Sequence, residues 1–276
     1  MTQPLRVLDL FSGIGGFSLG LERAGMQTVA FCEIDEWCRD LIAKRWPGIP
    51  IMEDVRSSSF PNADIICGGF PCQDVSLAGR RAGVTGERSG LYREVLRAIR
   101  LVRPKFAILE NVAALLGNGM GRVLGDVAED GIDAEWDCIS AGDLGAPHGR
   151  DRVWITLADP DKLKRTQRCS KGAGWWLWST EEISAARDPN GVWQLEPPRL
   201  LGEIRRRIDD ADRARIWWAG HWQEKFEALR RMDDGVPTRL DRSAVANAVK
   251  RLGNAVVPQI PEMIGRAIIA ASEVAP

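Results

Sequence analysis

The opening of the chain constrains its fold more than any other stretch. Leu5 to Leu10 is a short apolar run. Phe11-Ser12-Gly13-Ile14-Gly15-Gly16 is a glycine turn, and Phe17 to Ala24 is apolar at helical spacing. That order spells strand, glycine loop, helix. The alternation then recurs. Thr28 to Cys32 reads as a strand, Glu36 to Trp46 as a helix that stops before Pro47-Gly48, and Asp64 to Gly68 as a buried strand. Leu91 to Val102 is an amphipathic helix ending ahead of Pro104, and Phe106 to Leu109 is a strand with Glu110 at its end. Gly121 to Glu129 reads as a helix, and Ala134 to Ile139 and Arg152 to Leu157 as two more strands. Strands alternating with helices imply an α/β fold, a mostly parallel, Rossmann-like sheet with helices on both faces.

The pattern breaks at residue 158. Residues 158–249 mix Asp-Pro, Pro-Pro, tryptophan clusters and charge runs such as Glu203-Ile204-Arg205-Arg206-Arg207, with one plausible helix from Trp217 to Arg231. Regularity returns near Val245, and Gln259 to Ala271 reads as a helix. The expected organisation is a main domain of residues 1–157 plus 250–276 and a smaller irregular region, 158–249. A net charge of −1 hides an asymmetry. Residues 160–250 hold 18 Lys and Arg against 14 Asp and Glu, while the rest holds 19 against 24. Seven of the eleven tryptophans (175, 176, 178, 193, 217, 218 and 222) fall in that basic segment. Basic and aromatic together suit nucleic acid, although large aromatics also build small cores.

No apolar run approaches membrane-spanning length and no secretory signal pattern opens the chain, so a membrane or secreted location is not expected. The six cysteines form no Cys-x-x-Cys pair, and there are only two histidines. Neither a metal site nor a disulfide framework is expected, and a cytoplasmic monomer is the natural default.

Two features carry chemistry. The glycine loop passes a backbone close to a ligand before a helix amino terminus. Alone it suits a dinucleotide, S-adenosylmethionine or a tight turn equally. Glu33, 20 residues after Gly13, ends the second strand, where a carboxylate suits ribose hydroxyls. The second feature is Gly69-Phe70-Pro71-Cys72-Gln73, in which a proline fixes the backbone before a thiol at the carboxyl end of a strand. A free cysteine is equally at home as a small core residue.

These blocks together resemble the DNA (cytosine-5)-methyltransferase family. The resemblance runs from Leu8-Asp9-Leu10-Phe11-Ser12-Gly13-Ile14-Gly15-Gly16-Phe17 through Glu33, Asp54, Gly69-Phe70-Pro71-Cys72-Gln73, Glu110-Asn111-Val112 and Arg150-Asp151-Arg152. It closes at Gly253-Asn254-Ala255-Val256-Val257-Pro258. It covers residues 5–157 and 250–271 and says little about 158–249. Near Asp234-Gly235-Val236-Pro237 the chain is similar to phage- and restriction-type members.

The resemblance implies S-adenosylmethionine as cofactor and double-stranded DNA as partner. Phe11 would pack on the adenine, Glu33 would bind the ribose, and Ile34 and Asp54 would border the adenine. Asp54 otherwise reads as a solvated turn carboxylate. Ser12, Gly13, Gly15, Gly16, Pro71, Leu91, Asn254 and Ala255 complete the implied cofactor surroundings, Leu91 on the methionine side. Cys72 would be the nucleophile, Glu110 the group that assists at the base, and Arg150 and Arg152 nearby cations that favour thiolate. Asn111 would brace the loop. Gln73, Ser76, Arg80, Arg81 and Arg88 would face DNA. Residues 158–249 would read the target sequence, and His148 stands where the family often has Gln. Three alternatives remain: an RNA cytosine-5 methyltransferase, a non-catalytic DNA-binding relative, and a nicotinamide dehydrogenase supported by the glycine loop alone.

Overall fold

The computed structural model describes residues 3–71, 90–117, 119–141, 150–162 and 254–273. Seven strands form one sheet: β1 (Arg6–Leu10), β2 (Gln27–Cys32), β3 (Ile51–Met52), β4 (Ile65–Gly69), β5 (Phe106–Val112), β6 (Asp133–Ile139) and β7 (Arg152–Ala158). Among the described residues five α-helices accompany them: α1 (Gly16–Arg23), α2 (Glu36–Arg45), α3 (Gly90–Val102), α4 (Met120–Glu129) and α5 (Gln259–Glu273). The strand order is β3-β2-β1-β4-β5-β7-β6. All neighbours are parallel except β7, which runs antiparallel to both β5 and β6.

The α/β architecture expected from the sequence is therefore present, with three differences. β3 has two residues, too few to show as a periodic run. β7 is reversed, and apolar periodicity carries no information on strand direction. β5 does not stop at Leu109: it continues through Glu110 to Val112, because β7 pairs Trp154, Val153 and Arg152 with Glu110, Asn111 and Val112. The expected helix from Trp217 to Arg231, and all of the 158–249 region beyond residue 162, lie outside the described residues.

Successive strand residues point to opposite faces, so each strand supplies two cores. Leu8, Leu10, Ile66, Leu109 and Ile155 pack with α3 and α4 through Val95, Leu96 and Val123. Val7, Ile65, Cys67, Ile108 and Trp154 pack on the other face with Phe17 and Leu21 of α1 and Ile264 and Ile268 of α5. Helix ends follow local chemistry. Asp35 caps α2, its Oδ1 accepting from Cys38 N at 3.1 Å, and Lys44 and Arg45 sit in the last turn, where the helix dipole favours cations. α3 ends ahead of Pro104 as expected.

α5 lies beside α1. The fit is close because Gly20 has no side chain. A Cβ there would drive into the Pro258 carbonyl oxygen and reach Pro261 Cγ at 2.7 Å and Glu262 N at 2.9 Å. Alanine ordinarily favours a helix over glycine by about 1 kcal/mol. Gly20→Ala is expected instead to destabilise by about 1–3 kcal/mol, because backbone rather than a flexible side chain blocks the new methyl. Chemical denaturation checks this; a more stable Gly20→Ala would show that α1 and α5 do not pack as described.

Candidate active site

The parallel register brings the carboxyl ends of β1, β4 and β5 to one edge of the sheet. Leu10 lies opposite Gly68, and Gly69 opposite Glu110. The chain turns from β1 into the glycine loop by a left-handed Phe11 (φ 54°), followed by Gly13 at 54° and Gly15 at 81°. For Phe11 this conformation is strained and must be held by its surroundings. Ser12 does part of the holding: its Oγ donates to the Asp9 carbonyl at 2.7 Å, and its N–H donates to the Cys32 carbonyl at 3.2 Å.

Glu33 organises the same loop. Its Oε2 accepts from Gly13 N at 2.7 Å and its Oε1 from Asp35 N at 2.8 Å. The carboxylate thus ties the end of β2 to the glycine loop, and each oxygen keeps acceptor capacity. A Cβ on Gly13 would meet nothing within 4 Å, whereas one on Gly15 would meet Trp46 Cη2 at 2.5 Å, and one on Gly16 the Val256 carbonyl at 2.5 Å. The loop is open on one side and backed by Trp46 and Val256 on the other. Trp46 is itself fixed, its Nε1 donating to both Glu22 oxygens at 2.9 and 2.8 Å. Ile34, 64% exposed, presents an apolar surface beside Glu33. Half-buried Phe11 adds another. An open cradle, a carboxylate with spare lone pairs and apolar surfaces fit a nucleoside-bearing cofactor such as S-adenosylmethionine.

Asp54 sits in a turn after β3. Its carboxylate accepts from Arg56 N at 2.9 Å and pairs with the Arg56 guanidinium, Nη2 to Oδ2 at 2.7 Å. Those Arg56 hydrogen bonds hold its carboxyl below the usual range. The turn-carboxylate reading therefore describes its local bonding.

The other half of the site surrounds Glu110. Its Oε1 pairs with Arg152 Nε at 2.9 Å, both side chains being largely buried. Burial raises the Glu110 pKa, and the Arg152 and Arg150 charges oppose the rise. Burial and the Arg152 charge lower that of Arg150. Both arginines thus act on one carboxyl. Gly69 leaves room for it: a Cβ there would lie 3.1 Å from Glu110 Oε2. Beside Glu110, buried Asn111 donates from Nδ2 to the Phe70 carbonyl at 2.9 Å and accepts from Val112 N at 2.9 Å. Phe70, whose ring lies 5.3 Å from that of Tyr92, leads into exposed Pro71. Asn111 thus holds the Phe70 carbonyl, two residues ahead of Cys72 in sequence. Cys72, Gln73, Ser76, Arg80, Arg81, Arg88 and His148 lie outside the described residues.

Of the remaining expected residues, Leu91 lies half-buried in the first turn of α3 against the core. Asn254 is exposed and Ala255 half-buried, two and one residues before the Val256 that backs Gly16. The α5 segment thus returns to the glycine loop. One residue of the site was missed by sequence reasoning. Fully buried Asp9 accepts from Ser18 Oγ at 2.7 Å and Ser18 N at 3.2 Å, tying β1 to α1 beneath the loop. The signal was an acid among the apolar residues Val7, Leu8 and Leu10.

The family model for C-5 cytosine-specific DNA methylase matches residues 5–188, and the chain belongs to that family. The type II methyltransferase M2.BsuMI of Bacillus subtilis is 36% identical over 163 residues, 56% of this chain and 42% of its own length. The type II methyltransferase M.HhaI of Haemophilus parahaemolyticus is 31% identical over 157 residues, 55% of this chain and 48% of its own length. The matched part thus spans less than half of these curated relatives. Among solved structures, the Dnmt2 methyltransferase of S. pombe superposes with a TM-score of 0.50 at 20% identity, covering 58% of this chain and 52% of that one. That likeness concerns the fold.

Burial pushes the Asp9 carboxyl up from its ordinary 3.8 to about 7, against the Ser18 hydrogen bonds. Glu135 on β6, buried with neither oxygen hydrogen-bonded among the described residues, rises from 4.5 to about 9, chiefly by burial and then by the Asp137 charge. Between pH 3.8 and 7 the unfolded chain has released the Asp9 proton while the folded chain retains it. The unfolded state therefore gains on the folded one as pH rises, and the loss is complete above about 7. Asp9→Asn is expected to flatten the fall in unfolding free energy between about pH 4 and 7 and to leave the part that Glu135 contributes up to about 9. Urea titrations across that range measure both slopes; an unchanged slope in Asp9→Asn would show that Asp9 ionises normally in the fold.

Proposed function

We propose that this chain is an S-adenosylmethionine-dependent DNA (cytosine-5)-methyltransferase of the restriction-modification type. One observation carries the reading: a glycine cradle, the Phe70-Pro71 entry to Cys72 held by Asn111, and a largely buried Glu110–Arg152 pair share one end of the sheet. Phe11, Glu33, Ile34 and Asp54 hold the adenosine part of the cofactor, with Ser12, Gly13, Gly15, Gly16, Pro71, Leu91, Asn254 and Ala255 around it. Bound there, S-adenosylmethionine supplies an electrophilic methyl group.

Cytosine C5 is a poor nucleophile until a thiolate adds at C6. Cys72 Sγ forms that bond, and the electron pair of the C5–C6 double bond moves toward C5 and N3. Glu110 supports the addition by offering a proton or strong hydrogen bond to N3, a task favoured by the burial that raises its pKa. Arg150 and Arg152 favour the thiolate form and keep Glu110 in place. Once C5 carries its new substituent, loss of the C5 proton returns the electron pair, and the Cys72 Sγ–C6 bond breaks. The target base lies inside a duplex, so it must be flipped out, at about a few kcal/mol. Gln73, Ser76, Arg80, Arg81 and Arg88 grip the flipped nucleotide and its phosphates. Residues 158–249, basic and tryptophan-rich, form the target-recognition region beside a catalytic domain of 1–157 plus 250–276.

Bisulfite sequencing of plasmid DNA from cells expressing the chain is expected to show protected cytosines in one fixed context, lost in Cys72→Ala. Soluble folded protein with no protected cytosine would point instead to RNA, and modification of total RNA would decide that. Exchanging residues 158–249 for the corresponding region of a relative is expected to move the protected context to the relative's. A context that stayed unchanged would place base recognition elsewhere.

A further inference from the structure

Helix α3 touches both halves of the proposed site. Near its start Tyr92 packs on Phe70, ahead of Pro71 and Cys72. One and a half turns later, Arg97 reaches the turn that follows β3. Its Nη2 donates to the Val55 carbonyl, its Nε pairs with Glu94, and its guanidinium lies 5.0 Å from the centre of the Phe60 ring. Val55 is buried in the core that α3 shares, and Phe60 packs against that core. The turn also carries bonds within itself, and Ser58 Oγ lies 4.0 Å from Cys32 Sγ of β2. The Asp54 carboxylate holds Arg56, and its carbonyl accepts from Ser57 N and Ser58 Oγ. Arg97 is thus where the Asp54 turn is fastened to α3. The three contacts use different parts of one planar group: an edge for the carbonyl, Nε for the carboxylate, a face for the ring. A lysine offers a single ammonium and cannot make all three.

We infer that Arg97 is a positioning residue for the cofactor, holding the Asp54 turn at the adenine end of the S-adenosylmethionine site through Val55 and Phe60. The inference rests on the function proposed above. Arg97 contacts no reacting atom, so its loss acts on cofactor affinity more than on the chemical step. A residue serving stability alone would lower the melting temperature and leave that affinity unchanged.

The test compares the wild-type 276-residue chain with Arg97→Met, Arg97→Lys and Phe60→Leu. Calorimetry gives Kd for S-adenosylmethionine and S-adenosylhomocysteine, and steady-state kinetics give KM for cofactor and for DNA. Arg97→Met is expected to raise the cofactor Kd and KM about tenfold, the scale of one charge-assisted hydrogen bond, with kcat and the DNA KM within about twofold. Arg97→Lys should recover part of the affinity, and Phe60→Leu should show a smaller rise. A folded Arg97→Met that binds cofactor like wild type, or loses kcat with affinity unchanged, overturns the inference. Should Arg97→Met fail to fold, wild-type Kd values in both other variants overturn it. A folded wild type that binds no S-adenosylmethionine would remove the proposed function and this inference together, whereas tight binding in wild type and variants alike would remove this inference alone.

Discussion

The register of the three central parallel strands is the constraint on which the site depends. Because Leu10, Gly68 and Leu109 stand side by side across β1, β4 and β5, the residues that follow them gather at the same end of the sheet. The register also demands glycine. A Cβ on Gly68 would lie 2.6 Å from the Leu10 carbonyl oxygen, so a side chain there would push β4 away from β1. Gly69, one residue on, keeps open the space that the Glu110 carboxylate occupies. Two consecutive glycines therefore do separate work: one lets strands close, the other admits a buried charge.

That buried charge is tolerable because of β7. Glu110 is desolvated, which alone would favour its neutral form, and only the reversed strand brings Arg152 to within 2.9 Å. The same pairing carries β5 past the end of its parallel neighbour and sets Asn111 under the Phe70 carbonyl. An antiparallel strand in a mostly parallel sheet thus supplies both the cation and the brace. Removing one member of a buried pair leaves the other uncompensated, so Glu110 and Arg152 depend on one another for their place in the fold.

Local features of this architecture were legible in the sequence. Five of the six expected strands end within a residue or so of those found. The strand–glycine loop–helix opening and the turn away from α3 before Pro104 also follow from runs of apolar residues and from Gly and Pro. Glu33 could be singled out by its place after the second strand, and Glu110, Arg150 and Arg152 by the family resemblance. What could not be read was contact between distant segments. Nothing near Trp46 in sequence says that its indole lies against Gly15, and nothing near Arg97 says that it holds Val55. Strand direction was hidden for the same reason, since an apolar run reads alike both ways. Asp9 was visible as an acid inside a strand, but its partner is Ser18, in a helix whose position depends on the fold.

Those unread contacts share a physical role. Strained or mobile backbone near a ligand must be held by groups that do not themselves bind it. Phe11 keeps its left-handed conformation between Ser12, which bonds back to Asp9 and Cys32, and Glu33, which takes the Gly13 N–H. Behind that loop Trp46 fills the space that Gly15 leaves, and its own Nε1 is anchored on Glu22 of α1. The cradle is thus held at Ser12, at the Gly13 N–H and behind Gly15. Rigidity on the closed sides is what lets a few polar groups on the open side discriminate among ligands, because a loop that could relax would accommodate any of them.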